Sequence, residues 1–322
     1  MDSTLRPMST SQVLDRTFFL YRRNFALFAG VGAVYPALSI LVQLAFVPLG
    51  FPPRNPQITG NPAAFLGLFM IYFLCIMLVY VLGQAFSSGA TMYAVSKVHL
   101  GQSVTITECF KRVLSRFGTV LLIVAATSTA VFGIFMIGYF VSVVVAILAI
   151  PGLVRGGGGT GAIILDVIVG IIAFSILCAA VIGAIYLYLR FCLAVPAAMS
   201  EGQKTGGAFK RSIFLSKGSV FRLFLIYLLT LVLGVVLAFV FAIPGQLIAV
   251  MTHQKAFFLA LAVQYLGGFV GGVVVGPIAP IALSLVYFDQ RVRKEAFDLQ
   301  LMMQSIDQAA PIQAAIAAPP IG

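Results

Sequence analysis

The side chains best suited to chemistry are scarce in this sequence, and their spacing argues against most chemistries. There are two histidines, His99 and His253, and four cysteines, Cys75, Cys109, Cys178 and Cys192. A metal centre draws several such ligands together at short spacing, yet there is no C-x-x-C pair and no H-E-x-x-H helix. The cysteines lie in or beside apolar runs and read as small buried hydrophobes. No G-x-x-x-x-G-K-S/T loop is present to cradle a nucleotide phosphate. Neither lone histidine stands in an apolar pocket motif where a serine nucleophile would need its base. The sequence therefore points to no catalytic residue, no metal and no cofactor.

Two charged constellations remain. Asp166 is the one acid placed near an apolar run, and an intramembrane carboxylate is by default a functional candidate. From Val167 to Leu189 there is no charge, so Asp166 and Arg190 bracket about one membrane thickness. That favours an end-marking role, with Asp166 at the helix N-terminus where the dipole suits an anion. In the basic stretch that follows, Arg190, Glu201 and Arg211 are expected to meet at one rim, with Glu201 pairing to an arginine to fix the loop. Arg112, Arg116, Arg211, Lys217 and Arg222 are the candidates for binding anionic lipid headgroups.

The elements that hold these residues are set by composition. The chain is 61% hydrophobic and 9% charged, with a mean hydropathy of +1.08, whereas a soluble domain carries about 25% charge. Lipid must be the solvent. Apolar runs near 25–48, 63–95, 117–150, 161–189, 218–243 and 256–288 each reach the roughly 20 residues that cross a bilayer. The fold class is an all-α polytopic membrane protein of about six transmembrane helices, one domain over 1–301, with an Ala/Pro-rich tail over 302–322 expected to be disordered. The first apolar run is too long for a removable leader and reads as a span.

Orientation follows from the basic residues. Seventeen of the twenty Lys and Arg precede the first span, lie between the second and third or fourth and fifth, or follow the last; Arg54, Arg155 and Lys255 alone fall on the alternate connections. Basic loops resist translocation, so both termini are predicted to be cytoplasmic. Splitting the long 117–150 run in two would export the most basic loop, so one tilted or kinked span is expected there. The net charge of +11 is thus accounted for by topology and inner-leaflet lipid, and nucleic acid is not a predicted partner.

Each basic segment reads as a short amphipathic helix leading into a span. Ile106, Cys109, Phe110, Val113 and Leu114 recur at helical spacing behind a Thr105/Glu108 capping box; Ser9 and Gln12 repeat the box before a Leu14, Phe18, Tyr21, Phe25 stripe. Thr205 is the cap expected for the third. FVPLG at 46–50 and AIPG at 149–152 and 242–245 close the odd-numbered spans with Pro and Gly, which suggests a unit of interfacial helix plus two spans used three times. GGGG at 156–159 reads as an outer turn. In the last span, Gly267 and Gly271, and Gly268, Gly272 and Gly276, share faces that permit close helix packing within the chain or between subunits, and Pro277 and Pro280 are expected to kink it.

The segment RFCLAVPAAMSEGQKTGGAFKRSIFLSKGSVFRLF, through Arg190, Pro196, Glu201, Ala208, Arg211, Ser212, Leu215, Gly218 and Arg222, resembles the signature of the glycerophosphoryl diester phosphodiesterase membrane domain family. YFDQRVRKEAFDLQL is similar to that family's closing motif at Tyr287, Asp289, Arg291, Arg293, Glu295, Phe297 and Asp298. The resemblance implies a bacterial inner-membrane location and a helical fold, but not an activity, because the chain has no room for the catalytic barrel to which such membrane parts are sometimes fused. The expected function is non-enzymatic engagement of anionic lipid and a protein partner, or a second copy of the chain, through the basic interfacial helices. The alternative is a carrier or flippase for a lipid-like or small amphipathic substrate.

Overall fold

The computed structural model describes residues 8–49, 62–99, 102–154, 160–252 and 255–295. Arg54, Arg155, the glycine run 156–159, His253, Phe297, Asp298 and the 302–322 tail lie outside them. Among the described residues twelve helices follow one another: α1 (Thr10–Arg23), α2 (Phe25–Gly32), α3 (Val34–Phe46), α4 (Pro62–His99), α5 (Ile106–Leu114), α6 (Phe117–Val154), α7 (Thr160–Phe191), α8 (Ala194–Glu201), α9 (Thr205–Ser216), α10 (Val220–Met251), α11 (Phe257–Val275) and α12 (Ile278–Glu295). Among the described residues there is no strand, as expected where lipid cannot satisfy an exposed backbone.

Among the described residues, six segments are long and apolar enough to cross a membrane, Phe25–Phe46, Phe65–Val98, Phe117–Ile147, Asp166–Glu201, Val220–Met251 and Phe257–Glu295. The chain is a multi-pass membrane protein. Large apolar side chains along these helices stay exposed, Phe140, Phe174, Ile182 and Phe239 among them, which only an apolar solvent tolerates on this scale. The run from Phe117 forms one continuous helix, α6, as the charge count requires.

The spans pack as antiparallel pairs, α3 with α4, α6 with α7 and α10 with α11. The buried core is concentrated at one end of the bundle, where Val13, Leu20, Phe28, Val95, Cys109, Val113, Leu193, Leu215, Leu223 and Leu285 meet. This is the end that carries the basic segments, because α1 packs on α12, α5 on α4, and α9 on α8 and α12.

Both predicted capping boxes form. The Gln12 N–H donates to Ser9 Oγ at 3.2 Å and the Ser9 N–H to Gln12 Oε1 at 2.8 Å; Thr105 and Glu108 exchange the same bonds. Thr205 does not cap: Lys204 holds that position without a side-chain bond, and Thr205 is the first helical residue. On α1 the buried stripe is Val13, Thr17, Leu20 and Tyr21, while Phe18 is exposed. The helix is turned so that Phe18 and Phe19 face outward and Tyr21 inward.

Proline does not end the odd spans as a rule. α6 continues through Pro151 and α10 through Pro244; a proline removes one backbone bond, and the rest of a long helix carries across it. The break falls in the last span, at Gly276 and Pro277 between α11 and α12. Pro280 cannot donate to the Gly276 carbonyl, and the Val274 carbonyl next to the break instead accepts the Tyr21 hydroxyl at 2.7 Å. Burial raises the Tyr21 pKa, so that donor stays protonated.

The first and last spans cross here. A Cβ on Gly32 would lie 2.5 Å from Pro277, and one on Gly272 would lie 2.7 Å from Pro36, so glycine is needed on both helices. Gly267 and Gly271 pack instead on Phe241 of α10, and Gly276 approaches the Gly32 carbonyl. Gly268 faces open space, so the second predicted glycine register is used at two of its three positions, and within the chain.

Candidate functional site

The charged residues converge on the last two turns of α12. Residues at i, i+4 and i+8 share a helix face, which sends Tyr287, Arg291 and Glu295 to one side and Asp289 and Arg293 to another. On the first side, Arg211 of α9 donates to Glu201 Oε1 through Nε at 3.0 Å and Nη2 at 2.9 Å, and also pairs with Glu295. The Arg291 guanidinium lies 3.5 Å from Glu201 and 3.4 Å from Glu295. The Tyr287 hydroxyl donates to Glu201 Oε1 at 2.5 Å and accepts from Ser200 Oγ at 2.8 Å. Desolvation by itself would lower the Arg211 pKa, but its hydrogen bonds and charge interactions with Glu295 and Glu201 prevail and raise it.

On the second side, the Asp289 carboxylate pairs with Arg222 at the start of α10 and with Arg293 at 2.9 Å, and accepts the Met8 N–H at 2.6 Å. The Met8 carbonyl in turn accepts from Arg222 at 2.7 Å and Arg293 at 2.6 Å. Lys294 donates to the carbonyls of Phe214 and Lys217 at 2.8 and 2.6 Å. The end of α12 thus ties together the N-terminal segment, α8, α9 and α10.

Of the predicted rim trio, Glu201 and Arg211 meet and Arg190 does not join them. Its guanidinium stacks over Tyr186, 5.8 Å from the ring centre, and its backbone carbonyl accepts from Ser212. Arg190 ends a span helix and its side chain follows that helix, whereas Arg291, arriving from α12, takes the place beside Glu201. Tyr287, Asp289, Arg291 and Glu295 were not foreseen as site residues. The opposite charges four apart, Asp289 with Arg293 and Arg291 with Glu295, were the available signal.

The five headgroup candidates divide. Arg211 and Arg222 hold internal carboxylates. Arg116 rests its guanidinium on Gly202, where a Cβ would lie 2.9 Å away. Gly202 sits at the C-terminal end of α8 with φ of 72°, so glycine serves the turn and the packing, and the helix dipole favours the cation. Arg112 and Lys217 are exposed, with Lys111, Lys204 and Lys210 beside them, and none pairs with a carboxylate among the described residues.

Asp166 lies in the second turn of α7, which begins at Thr160, and not at its N-terminus. The dipole effect falls off within the first turn, so Asp166 does not cap the helix. Cys109 and Cys192 are buried free thiols; burial pushes the Cys109 thiol up to about 11, which leaves it unreactive at neutral pH. No group of three metal-ligating side chains occurs among the described residues.

A cavity of about 90 Å³ opens between α4, α6, α7, α8 and α12, lined among others by Gln84, Ser88, Thr127, Tyr188, Pro196 and Ser284. It lies one helical turn further into the bundle than the rim, since Pro196 precedes Ser200, and Ser284 precedes Tyr287, by about a turn. No protein-family model, curated protein or solved structure matches the chain.

Proposed function

We propose that this chain is a non-enzymatic bacterial inner-membrane protein, with both termini cytoplasmic, whose basic interfacial helices engage anionic lipid headgroups and, on the same face, a partner protein. The observation that carries this reading is the outer side of α1, α5 and α9, where exposed cations stand beside exposed large apolar side chains. Arg16 lies over the Phe19 ring at 5.4 Å; Lys111 and Arg112 flank Leu114; Lys210 and Lys217 flank Phe214, and all of these side chains are exposed. Water suits the cations alone and hydrocarbon the apolar groups alone. The headgroup layer accommodates both.

The family reading draws support from the same end of the molecule. Its two motif segments, about 90 residues apart, converge through Glu201, Arg211 and Arg222 on one side and Tyr287, Asp289, Arg291 and Glu295 on the other.

The test is lipid retention. Protein purified in mild detergent with equal phosphatidylglycerol and phosphatidylethanolamine is expected to keep phosphatidylglycerol preferentially by native mass spectrometry, and Lys111→Gln/Arg112→Gln/Lys217→Gln is expected to lose most of that preference, at about 1 kcal/mol per cation. Equal retention of the two lipids by the wild-type protein overturns the proposal.

The carrier reading is favoured by one observation, the break of the last span at Gly276 and Pro277 immediately before the cavity-lining Ala279 and Pro280, since discontinuous helices border transport sites. Flux of lipid or small amphiphiles in proteoliposomes, lost in Gly271→Leu, would support it; no flux counts against it.

A further inference from the structure

The cavity is polar without being charged. Tyr80, Gln84 and Ser88 project from α4 at four-residue spacing, Thr127 and Ser128 face them from α6, and Tyr188 closes the side from α7. Ile123, Phe191 and Leu283 supply apolar wall, and among the described residues no Asp, Glu, Lys, Arg or His lines it. The rim ions do not reach it, since Glu201 is engaged by Arg211, Arg291 and the Tyr287 hydroxyl.

One polar side chain open to it is unsatisfied among the described residues: the Gln84 amide has no hydrogen-bond partner there. Ser88 donates to the Gln84 carbonyl at 2.6 Å, which leaves its oxygen lone pairs as acceptors. Thr127 Oγ1 and Ser284 are closed off from the open space, Ser284 donating to the Pro280 carbonyl at 2.7 Å. An amide or hydroxyl left unmet at membrane depth is costly, so an occupant must both donate and accept. A charge entering here would find no counter-ion and would be strongly disfavoured.

We propose that this cavity binds the head of an uncharged, hydroxyl-bearing amphiphile, of the monoacylglycerol or long-chain alcohol class. The Gln84 amide donates to the head's oxygens, Gln84 and Ser88 accept from its hydroxyls, and the apolar wall takes the start of the chain. At about 90 Å³ the space exceeds the roughly 10–15 Å³ that one water needs. The proposal does not rest on the headgroup reading, because the basic face selects anions and the cavity excludes them; it names the ligand class of the cavity that the carrier reading also invokes, and binding there requires no flux.

The experiment is photolabelling of the purified full chain in nanodiscs with a diazirine-bearing monoacylglycerol, followed by peptide mapping. Saturable labelling is expected within 123–128 and 279–284, displaced by excess unlabelled monoolein but not by phosphatidylglycerol. The near-isosteric variant Gln84→Leu is expected to cut that labelling about tenfold, roughly the loss of one good hydrogen bond. Should it fail to fold by gel filtration, Ser128→Leu, which fills the cavity from α6, takes its place with the same expectation. Labelling spread evenly over the exposed apolar surface, labelling unchanged in the variants, or equal displacement by phosphatidylglycerol overturns the proposal. So does the water-only outcome, in which no saturable labelling occurs and Gln84→Leu merely raises the melting temperature. The lipid-retention result with the Lys111, Arg112 and Lys217 variant is independent of every one of these outcomes.

Discussion

Arg222, at the start of α10, and Asp289, near the end of α12, form an ion pair in which the aspartate side chain is 0% exposed. The carboxylate is held in addition by Arg293 and by the Met8 N–H. It joins the N-terminal segment, the fifth span and the last span at a single point. A buried pair adds little against an apolar substitute of the same shape, but removing one partner strands the other charge.

Arg222→Met leaves the carboxylate to Arg293 and the Met8 N–H and is therefore expected to destabilise the protein by about 1–3 kcal/mol, read as a fall in melting temperature in detergent. Arg222→Met/Asp289→Leu should recover much of the loss, because no charge is then stranded. A double variant as unstable as the single one would show that the pair itself, and not its burial, holds the end of α12.

Neighbouring glycines of the last span give opposite outcomes. A Cβ on Gly267 would stand 2.3 Å from the Phe241 carbonyl oxygen, a backbone atom that cannot step aside, whereas Gly268 has nothing within 4 Å. Gly267→Ala should cost about 1–3 kcal/mol through overpacking. Gly268→Ala should be neutral or stabilising by about 0.5–1 kcal/mol, since alanine restricts the unfolded chain. Thermal unfolding of the two variants side by side decides the matter.

Cys109 reports on the packing of α5. Its thiol is 0% exposed and pushed up to about 11 by burial, with the Glu108 charge adding. A free thiol titrates near 8.5, so the folded state binds the proton more tightly than the unfolded state does. That contribution is complete below about 8.5 and is lost as the pH rises toward about 11. In a variant retaining Cys109 as its one cysteine, maleimide labelling at pH 7 should be slow in the folded protein, and stability should fall through this alkaline window. Fast labelling at pH 7 would mean that α5 is not seated against α4.

Lys210, exposed on α9, tests the orientation. In a background lacking the four native cysteines, Lys210→Cys is expected to resist a membrane-impermeant maleimide in intact cells and to react in inverted vesicles. Lys255→Cys should show the reverse. Exchange of the two patterns would invert the topology.

The sequence read the helices well because their cause is local. Apolar runs of sufficient length, Ser9 with Gln12, and Thr105 with Glu108 each specify a helix or its start within a few residues. Half of the rim was equally readable, since Glu201 and Arg211 lie ten residues apart on consecutive short helices. Its other half lay about 90 residues away on α12, and no local pattern says which arginine a glutamate will select. Arg291 took the place expected of Arg190 for that reason. Prolines misled in the same way: Pro151 and Pro244 resemble Pro48 in their surroundings, but a long helix tolerates one lost bond.

What the sequence by itself determined is the solvent, the number of apolar helices, and which four segments carry the cations, because hydrophobicity and charge act residue by residue. The tertiary structure alone decided which cations are neutralised within the chain and which stay exposed, and where the last span breaks. It also decided that Gln84, Ser128 and Leu283, on three different spans, line one cavity. Those outcomes depend on the rotation of each helix about its axis, which side-chain packing between helices sets and no single helix encodes.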